Sequence, residues 1–320
     1  MPTLQRGTFA AYLTFFFRTR QSLIQSLPVH EVRRGNVAAL LFVRTLSEKP
    51  RFTMYRAAAT ITVSNKNLMG DSGMAESRGV AILVGAGDAI GAAVARRFAK
   101  GGYTVCICRR DASKSQGLVG ELRAAGHNIH AFSVDARQEA EVQGIFARIE
   151  KEFGPIEVCL FNAGSNVNKP LLETTEKLFF KAWELACYGG FLVGREAARV
   201  MLPRGRGTIF FTGATASVRG GQGFAAFSSA KFGLRAVAQA MARELGPKNI
   251  HVVHLLIDAG VDSEAIHQRM KAAKGIEASE IPQDSLTKTS SIAEAYWFTH
   301  QQSRDGWTHE LDLRPSVEKW

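Results

Sequence analysis

A short run of small residues, VGAGDAIG at residues 84–91, lies between an apolar segment and a segment with helical spacing. Gly85 permits a tight turn, and the small residues Ala89 and Gly91 let a ligand approach the backbone closely. A helix that starts near Ala89 and continues through Ile90 presents free N–H groups and the positive end of its dipole. The pattern predicts a site for the pyrophosphate of a dinucleotide. The alternative is a glycine turn that only packs the helix on the strand.

Two basic residues, Arg109 and Arg110, end the next strand-like segment, YTVCICRR. A dinucleotide site that prefers NAD usually has an acidic residue there, which binds the ribose 2′-hydroxyl. Two guanidinium groups would instead hold a 2′-phosphate by charge-assisted hydrogen bonds. This favours NADP(H) over NAD(H), although Asp88 in the glycine turn argues against a nearby phosphate. The alternative is a pair of solvated arginines.

The elements that would position these residues alternate between strand and helix. Strand-like apolar runs occupy residues 80–85, 103–110, 128–134, 155–164, 207–213, 250–257 and, more briefly, 309–313. Helical spacing covers residues 89–102, 114–126, 139–154, 174–202, 224–245 and 291–302. The alternation predicts a single α/β domain over residues 76–320, with a doubly wound parallel sheet of the Rossmann type.

Residues 1–75 differ from the rest of the chain. Up to Ser72 they hold ten Lys/Arg against three Asp/Glu, without a regular helix or strand period. Such a basic leader is typical of an organellar transit peptide, which would place the protein in mitochondria. It can also be an extension before a true start at Met74, which would leave the protein cytoplasmic. The apolar run at residues 9–17 mimics a secretory signal but runs into RTR.

Composition narrows the possible partners. The net charge of +11 is concentrated in the leader, and no run interleaves basic and aromatic residues as a nucleic-acid surface would. No apolar run reaches the roughly 18 residues that a membrane span needs. The four cysteines lack C-x-x-C spacing and a histidine cluster, which indicates reduced, buried thiols rather than a metal site or disulfides: Cys106, Cys108, Cys159 and Cys187.

From about Arg78 onward the chain resembles the short-chain dehydrogenase/reductase family. GAGDAIG is similar to the glycine motif of that family, with alanine in place of its middle glycine, and FNAG at residues 161–164 is similar to its NNAG motif. SSAKFGLRAVAQAMARELGPKNIHV is similar to the helix and strand that follow its catalytic tyrosine. The resemblance implies further cofactor contacts from Asp135, which would contact adenine, and from Ala136, Asn162, Ala163, Gly164 and Lys231.

The resemblance also implies a catalytic set of Asn, Ser, Tyr and Lys, of which only Lys231 is present. Phe227 takes the place of the tyrosine that donates or removes the alcohol proton. Ala214 takes the place of the serine that holds the substrate oxygen, and Ala186 that of the asparagine that orders a relay water. The segment DAG at residues 258–260 replaces the usual Pro-Gly. These exchanges leave the cofactor residues intact but turn a polar pocket floor into an apolar one, which suits an apolar ligand.

None of the neighbouring side chains is a convincing replacement acid on sequence grounds. Tyr188 would point about 200° away from Ala186 on a helix, and the Cys187 thiol is a poor acid at neutral pH. Phe224 holds the position at which enoyl reductases of this superfamily place their tyrosine. Thr215 and Ser217 could bind a substrate oxygen. The other candidates are weak acids or structural groups: Ser228, Ser229 and His254.

Three functions remain open. One is an NADP(H)-dependent oxidoreductase with altered chemistry, and the second is a non-catalytic nucleotide-binding sensor or scaffold. The third, a nucleic-acid or membrane-surface protein, depends on the basic leader alone. Family members pair two of their helices across a two-fold axis, and the face with Leu234, Val237, Ala238 and Met241 predicts a homodimer or homotetramer. The alternative is that this face packs against the sheet.

Overall fold

The computed structural model describes residues 77–282 and 284–318. The predicted leader at residues 1–75 lies outside the described residues, and its nature stays a prediction. Of residues 77–282 and 284–318, no stretch of helix is both long and apolar enough to cross a bilayer.

Seven parallel strands form the central sheet, in the order β3-β2-β1-β4-β5-β6-β9. They are β1 (Val80–Val84), β2 (Thr104–Arg109), β3 (Ile129–Ser133), β4 (Ile156–Phe161), β5 (Thr208–Thr212), β6 (His251–Ile257) and β9 (Glu310–Leu313). A separate two-stranded ribbon pairs β7 (Val261–Asp262) with β8 (Thr287–Lys288). The strand order reverses between β1 and β4, so a crevice opens at their carboxyl ends.

Helices cover both faces of the sheet, which explains why its central strands are buried along their whole length. They are α1 (Ile90–Lys100), α2 (Gln116–Ala124), α3 (Glu139–Phe153), α4 (Glu176–Trp183), α5 (Gly189–Met201), α6 (Ala225–Leu245), α7 (Glu264–Lys274) and α8 (Thr289–His300). A π-helical segment, Glu184–Tyr188, joins α4 to α5. Two apolar clusters result, one on each side of the sheet.

This architecture confirms the predicted α/β Rossmann-type sheet. The sequence missed the ribbon of β7 and β8 and helix α7, since these elements are short or polar and carry no buried residue beyond Thr287. The four cysteines are buried and unbridged, as the sequence indicated.

The small-residue face of α6 corrects one interpretation. Leu234 and Ala238 are fully buried in the cluster on one face of the sheet, and Met241 packs against that cluster. This stripe is therefore core rather than a partner surface, because it is already covered by the chain's own sheet.

Candidate active site

A cavity of about 550 Å³ lies at the carboxyl ends of the strands, beside the point where the strand order reverses. Ile90 and Asn162 line one side of it. Thr212, Phe227 and Lys231 line the other. The structure thus brings Ile90 of the predicted glycine turn, Asn162 and Gly164 of the motif at the end of β4, and Lys231 of α6 to one concave site, the usual place for a ligand in this fold. The other predicted cofactor residues do not line this cavity.

The glycine turn is shaped so that no side chain fits at its two tight points. Gly85 has φ of +76°, and a Cβ there would lie 2.4 Å from the backbone nitrogen of Ala163. A Cβ at Gly91 would lie 2.4 Å from the Cα of Ala86. The turn is held by the N–H of Gly85, which donates to the carbonyl of Cys108 at 2.8 Å. Both close approaches are to the chain's own backbone, so these two glycines are required by the packing of the turn, and Ile90 of this segment lines the cavity.

The motif at the end of β4, residues 161–164, is hydrogen-bonded to the glycine turn. The N–H of Asn162 donates to the carbonyl of Val84 at 2.8 Å, and its side-chain amide donates to the carbonyl of Gly85 at 3.3 Å. A Cβ at Gly164 would lie 3.4 Å from Nζ of Lys231. Asn162 thus holds the two strand ends together, and Gly164 leaves room for the lysine.

The two arginines at the end of β2 behave differently. Arg109 is largely covered, and its Nη1 lies 2.8 Å from Oδ1 of Asp88. Asp88 thereby neutralises Arg109 across the mouth of the glycine turn. Arg110 is exposed. The structure therefore leaves the guanidinium of Arg110 exposed, whereas that of Arg109 is paired with a carboxylate.

Asp135 and Ala136 follow β3 at the far edge of the crevice. The carboxylate of Asp135 accepts hydrogen bonds from the guanidinium of Arg137, with Nε at 2.9 Å, and these bonds lower the pKa of Asp135. The carbonyl of Ala136 lies 3.3 Å from where a Cβ at Gly189 would stand. The adenine contact predicted for Asp135 would share its carboxylate with Arg137.

Among the described residues that line the cavity, Lys231 is the one lysine. Its side chain is buried, and Nζ donates to the carbonyl of Thr212 at 2.7 Å. Burial lowers the pKa of Lys231 to about 8. The ammonium is held at the end of β5, 6.0 Å from the centre of the Phe227 ring. A buried lysine with such a pKa exchanges protons near neutral pH.

The other three family positions present no polar group to the cavity. Phe227 and Ala214 line it, and Ala186 is fully buried within the π-helical segment. No tyrosine is among the described residues that line the cavity. The usual phenolic acid is therefore absent in space as well as in sequence.

Most of the replacement candidates are already engaged elsewhere. The hydroxyl of Ser217 accepts from the N–H of Ala214 at 3.1 Å, and the ring of Tyr188 stacks on Trp183. Cys187 packs against Gly233 of α6, and burial raises the pKa of its thiol. His254 is fully buried beneath Gly213, where burial lowers its pKa to about 4.

Ser228 differs from these candidates. It lines the cavity, its side chain is buried, and its Oγ has no hydrogen-bond partner in the described part of the chain. A buried hydroxyl of this kind costs free energy unless a ligand or water satisfies it. The cavity is therefore not wholly apolar at its floor.

Sequence reasoning missed one functional candidate, Asp258. It follows β6 directly, its side chain is 7% exposed, and the hydroxyl of Thr215 donates to its Oδ1. Arg314 and Arg219 form ion pairs with the same carboxylate at 3.3 and 3.8 Å. The available signal was the acid in DAG, at the carboxyl end of a buried central strand where ligand contacts concentrate.

Comparison with known proteins agrees with this geometry. Residues 79–272 match the family described as short chain dehydrogenase. An uncharacterized oxidoreductase of Bacillus subtilis is 32% identical over 69% of this chain, although the match spans only 33% of that relative. A crystal structure of a short-chain dehydrogenase from Rhodopseudomonas palustris is 49% identical, covers 74% of this chain and 98% of its own, and has a TM-score of 0.63.

A more distant structure shares the fold. The actinorhodin polyketide ketoreductase, solved with NADPH, is 23% identical, covers 75% of this chain and 97% of its own, and has a TM-score of 0.69.

Proposed function

Since this chain belongs to the short-chain dehydrogenase family, a family of oxidoreductases, we propose that it binds NADP(H) and transfers hydride to or from a small apolar substrate without a tyrosine acid. When bound, the nicotinamide supplies or accepts that hydride. Every other role in the site falls to side chains of this chain. Two relatives support the cofactor: the related ketoreductase was solved with NADPH, and the relative from Bacillus subtilis is named an oxidoreductase.

The observation that carries this proposal is the retained wall of the cavity. Gly85 and Gly91 allow the tight packing of the turn, and Asn162 holds that turn beside the cavity. Lys231 is held at the point where the family binds the nicotinamide ribose. The lysine's charge is desolvated but hydrogen-bonded, so it is kept at some cost in stability. Burial of this charge would serve no purpose in a site that binds no ligand.

The preference for NADP(H) is supported by the charge around the second strand. Arg110 is exposed, and β2 ends in Arg109 and is followed by Arg110. The next residue, Asp111, has its carboxylate engaged with Ser113. Arg109 is paired with Asp88, so the proposal assigns the 2′-phosphate chiefly to Arg110.

The altered floor sets the kind of chemistry. Without a phenol, the site lacks a group worth about 10²–10⁴ in rate for protonating a carbonyl oxygen. Substrates that need no such acid, such as an iminium ion or an acceptor protonated by solvent, remain open to hydride transfer. The apolar lining from Phe224, Phe227 and Ile257 suits a small apolar body.

Binding and turnover test the proposal in sequence. Titration calorimetry with NADPH and NADH on the purified full chain is expected to show binding with NADPH preferred. Oxidation of NADPH is then followed across carbonyls, imines and enones. Absence of binding heat with both coenzymes overturns the proposal. Binding without turnover of any substrate class favours the second candidate function, a non-catalytic sensor or scaffold.

The second candidate is a non-catalytic NADP(H)-binding sensor or scaffold. It is favoured by the loss of three polar groups at once, since Phe227, Ala214 and Ala186 together remove the proton donor, the oxygen holder and the relay. On this hypothesis the functional effect of Lys231→Met is confined to coenzyme affinity. On the catalytic hypothesis it also lowers turnover.

Self-association is also proposed, as a homodimer or homotetramer. The outer faces of α4, α5 and α6 expose aromatic rings that are 40–55% accessible: Phe179, Phe180, Phe191 and Phe232. Large rings exposed together on neighbouring helices are typical of an interface. Light scattering of the intact chain is expected to give a molar mass of two or four protomers. The double variant Phe180→Ser with Phe232→Ser is expected to give the mass of a single protomer.

A further inference from the structure

The Thr215–Asp258 pair sits where the site otherwise lacks a group to handle a proton. Thr215 lines the cavity next to Ala214, the position at which the family holds the substrate oxygen. Its hydroxyl donates to Oδ1 of Asp258. Since a threonine hydroxyl has one hydrogen and two lone pairs, the oxygen can then only accept from a ligand in the cavity.

This polarity decides which substrate oxygen fits. A carbonyl oxygen is an acceptor only and would face another acceptor, whereas an alcohol hydroxyl can donate to Thr215 Oγ1. The unpartnered hydroxyl of Ser228 in the same cavity also calls for a polar group on an otherwise apolar ligand. The complementary ligand is a small apolar alcohol.

Asp258 is fixed as the acceptor behind Thr215. Its N–H donates to the carbonyl of Leu313 at 2.8 Å, and the guanidinium of Arg314 lies 3.3 Å from Oδ2. These contacts aim Oδ1 at Thr215, and Arg219 reaches the same oxygen from the cavity mouth at 3.8 Å. The carboxylate therefore has a fixed orientation, with a small exposed fraction toward water.

We infer that Thr215 and Asp258 form a proton relay that replaces the missing tyrosine, so that this protein catalyses the oxidation of small apolar secondary alcohols by NADP⁺. The inference rests on the proposed NADP(H) function. The alcohol O–H bond breaks as its proton moves to Oγ1 of Thr215, and the hydrogen of Thr215 moves to Oδ1 of Asp258. A carbon–oxygen double bond forms as hydride leaves the same carbon for NADP⁺. Asp258 then releases the proton to water.

The experiment uses the full chain with NADP⁺ and a panel of 1-phenylethanol, cyclohexanol and 2-octanol, with NADPH formation followed by absorbance. We expect oxidation of at least one alcohol. Thr215→Val is expected to lower kcat by about 10²-fold or more, and Asp258→Asn by a similar factor, as for loss of general-base catalysis. Thr215→Ser keeps the hydroxyl and is expected to retain most of kcat. The double variant is expected to be no worse than either single one, because the two residues act as a unit.

A matched control separates this role from simple loss of a threonine hydrogen bond. Thr299 is fully buried in α8, and its Oγ1 donates to the carbonyl of Ala295 at 2.7 Å, away from the cavity. Thr299→Val is expected to change thermal stability but not kcat.

Binding gives a readout that does not depend on turnover. 2-Phenyl-2-propanol, a tertiary alcohol, cannot lose hydride, and calorimetry measures its affinity for the NADP⁺-saturated protein. Thr215→Val is expected to weaken the binding of this alcohol about tenfold, which corresponds to the loss of one hydrogen bond. Thr215→Ser is expected to leave that affinity unchanged.

The outcomes distinguish the two levels of the argument. If NADP⁺ does not bind, the proposed function fails, and the inference fails with it. If NADP⁺ binds but no alcohol of the panel yields NADPH, or if Thr215→Val oxidises alcohols at the wild-type rate, only the relay is overturned.

Discussion

The two ends of the cavity have been built under different constraints. At the β1 and β4 end, one carbon added at Gly85 or Gly91 would clash with backbone, and the side chain of Asn162 is hydrogen-bonded to the carbonyl of Gly85. At the β5 and α6 end, Phe227 and Ala214 occupy positions where the family has hydroxyl groups. The contrast shows that a coenzyme cradle depends on backbone shape, whereas the chemistry depends on a few side chains that can change without disturbing it.

Lys231 stands at the border between these two ends. It belongs to the cradle through its family role and to the floor through its position beside Phe227. Its lowered pKa reflects the burial of its ammonium group. Four predictions test this difference between the two ends of the cavity.

The largest effect is expected from restoring the whole polar floor. The triple variant Phe227→Tyr with Ala214→Ser and Ala186→Asn is expected to raise kcat/KM for NADPH-dependent carbonyl reduction by about 10²–10⁴-fold. Phe227→Tyr alone is expected to restore little carbonyl reduction. The serine that holds the substrate oxygen and the asparagine that orders the relay water are still replaced by Ala214 and Ala186. Steady-state kinetics on one aromatic ketone compares the two variants. Strong activity from the single change would show that the tyrosine alone was limiting.

A methyl group in the cradle is expected to act on stability and binding together. Gly85→Ala places a Cβ 2.4 Å from the backbone nitrogen of Ala163 in a left-handed conformation. We expect a loss of about 4 kcal/mol in the free energy of unfolding, measured by urea denaturation, and loss of NADPH binding. Gly87 lies in the same turn with open space around it. Gly87→Ala is therefore the control, and unfolding of the two variants at the same urea concentration would contradict the explanation.

Removal of the buried charge is expected to stabilise the fold in a pH-dependent way. The folded protein binds the Lys231 proton only up to about pH 8, whereas an unfolded lysine keeps it to about 10.5. Between these values the unfolded state holds more protons, so raising the pH stabilises the wild-type protein. Lys231→Met is expected to gain about 3 kcal/mol below pH 8, with the gain lost as the pH approaches 10.5.

Chemical denaturation at pH 7 and pH 10 measures this difference. Lys181 of α4 is exposed, and Lys181→Met is the matched control, expected to leave stability unchanged at both pH values. A stability gain for Lys231→Met that does not shrink with pH would show that packing, rather than charge burial, is the cause.

The smallest effect concerns coenzyme preference. Arg110→Glu is expected to weaken NADPH binding by about 10- to 30-fold while NADH changes little, because one charge-assisted contact to a phosphate is lost. Calorimetry with both coenzymes measures the ratio. Arg243, whose Nη1 donates only to the carbonyl of Gln239 on its own helix, provides Arg243→Glu as a control for net charge. Equal weakening by both variants would contradict a specific role for Arg110.

The fold and the cradle could be predicted from sequence because they depend on local patterns. The alternation of apolar runs with helical spacing is repeated along the chain, and the glycines and Asn162 fall within motifs of fixed spacing. The ribbon of β7 and β8 could not be found this way, since two-residue strands have no period. Its pairing of Val261 with Thr287 joins segments that are distant in sequence.

The candidate relay was missed for a related reason. Thr215 and Asp258 lie on the loops after β5 and β6, and only the parallel pairing of those strands brings them together. The same holds for Asp88 and Arg109, whose ion pair weakens the simple inference of two free arginines. The family motifs identified Asn162 and Lys231, which also bond across elements. No signal in the sequence indicated pairings outside those motifs, such as Thr215 with Asp258 and Asp88 with Arg109.

The edge strand β9 supports neighbouring elements through its charged side chains. Glu310 on β9 holds Arg235 of α6 at 2.6 Å and His254 of β6 at 2.9 Å, and Arg314 just beyond it holds Asp258. The glycine turn is held instead by hydrogen bonds to Cys108 of β2 and to Asn162 after β4. Detachment of β9 from the sheet would therefore leave the glycine turn supported, while Arg235, His254 and Asp258 would lose these partners.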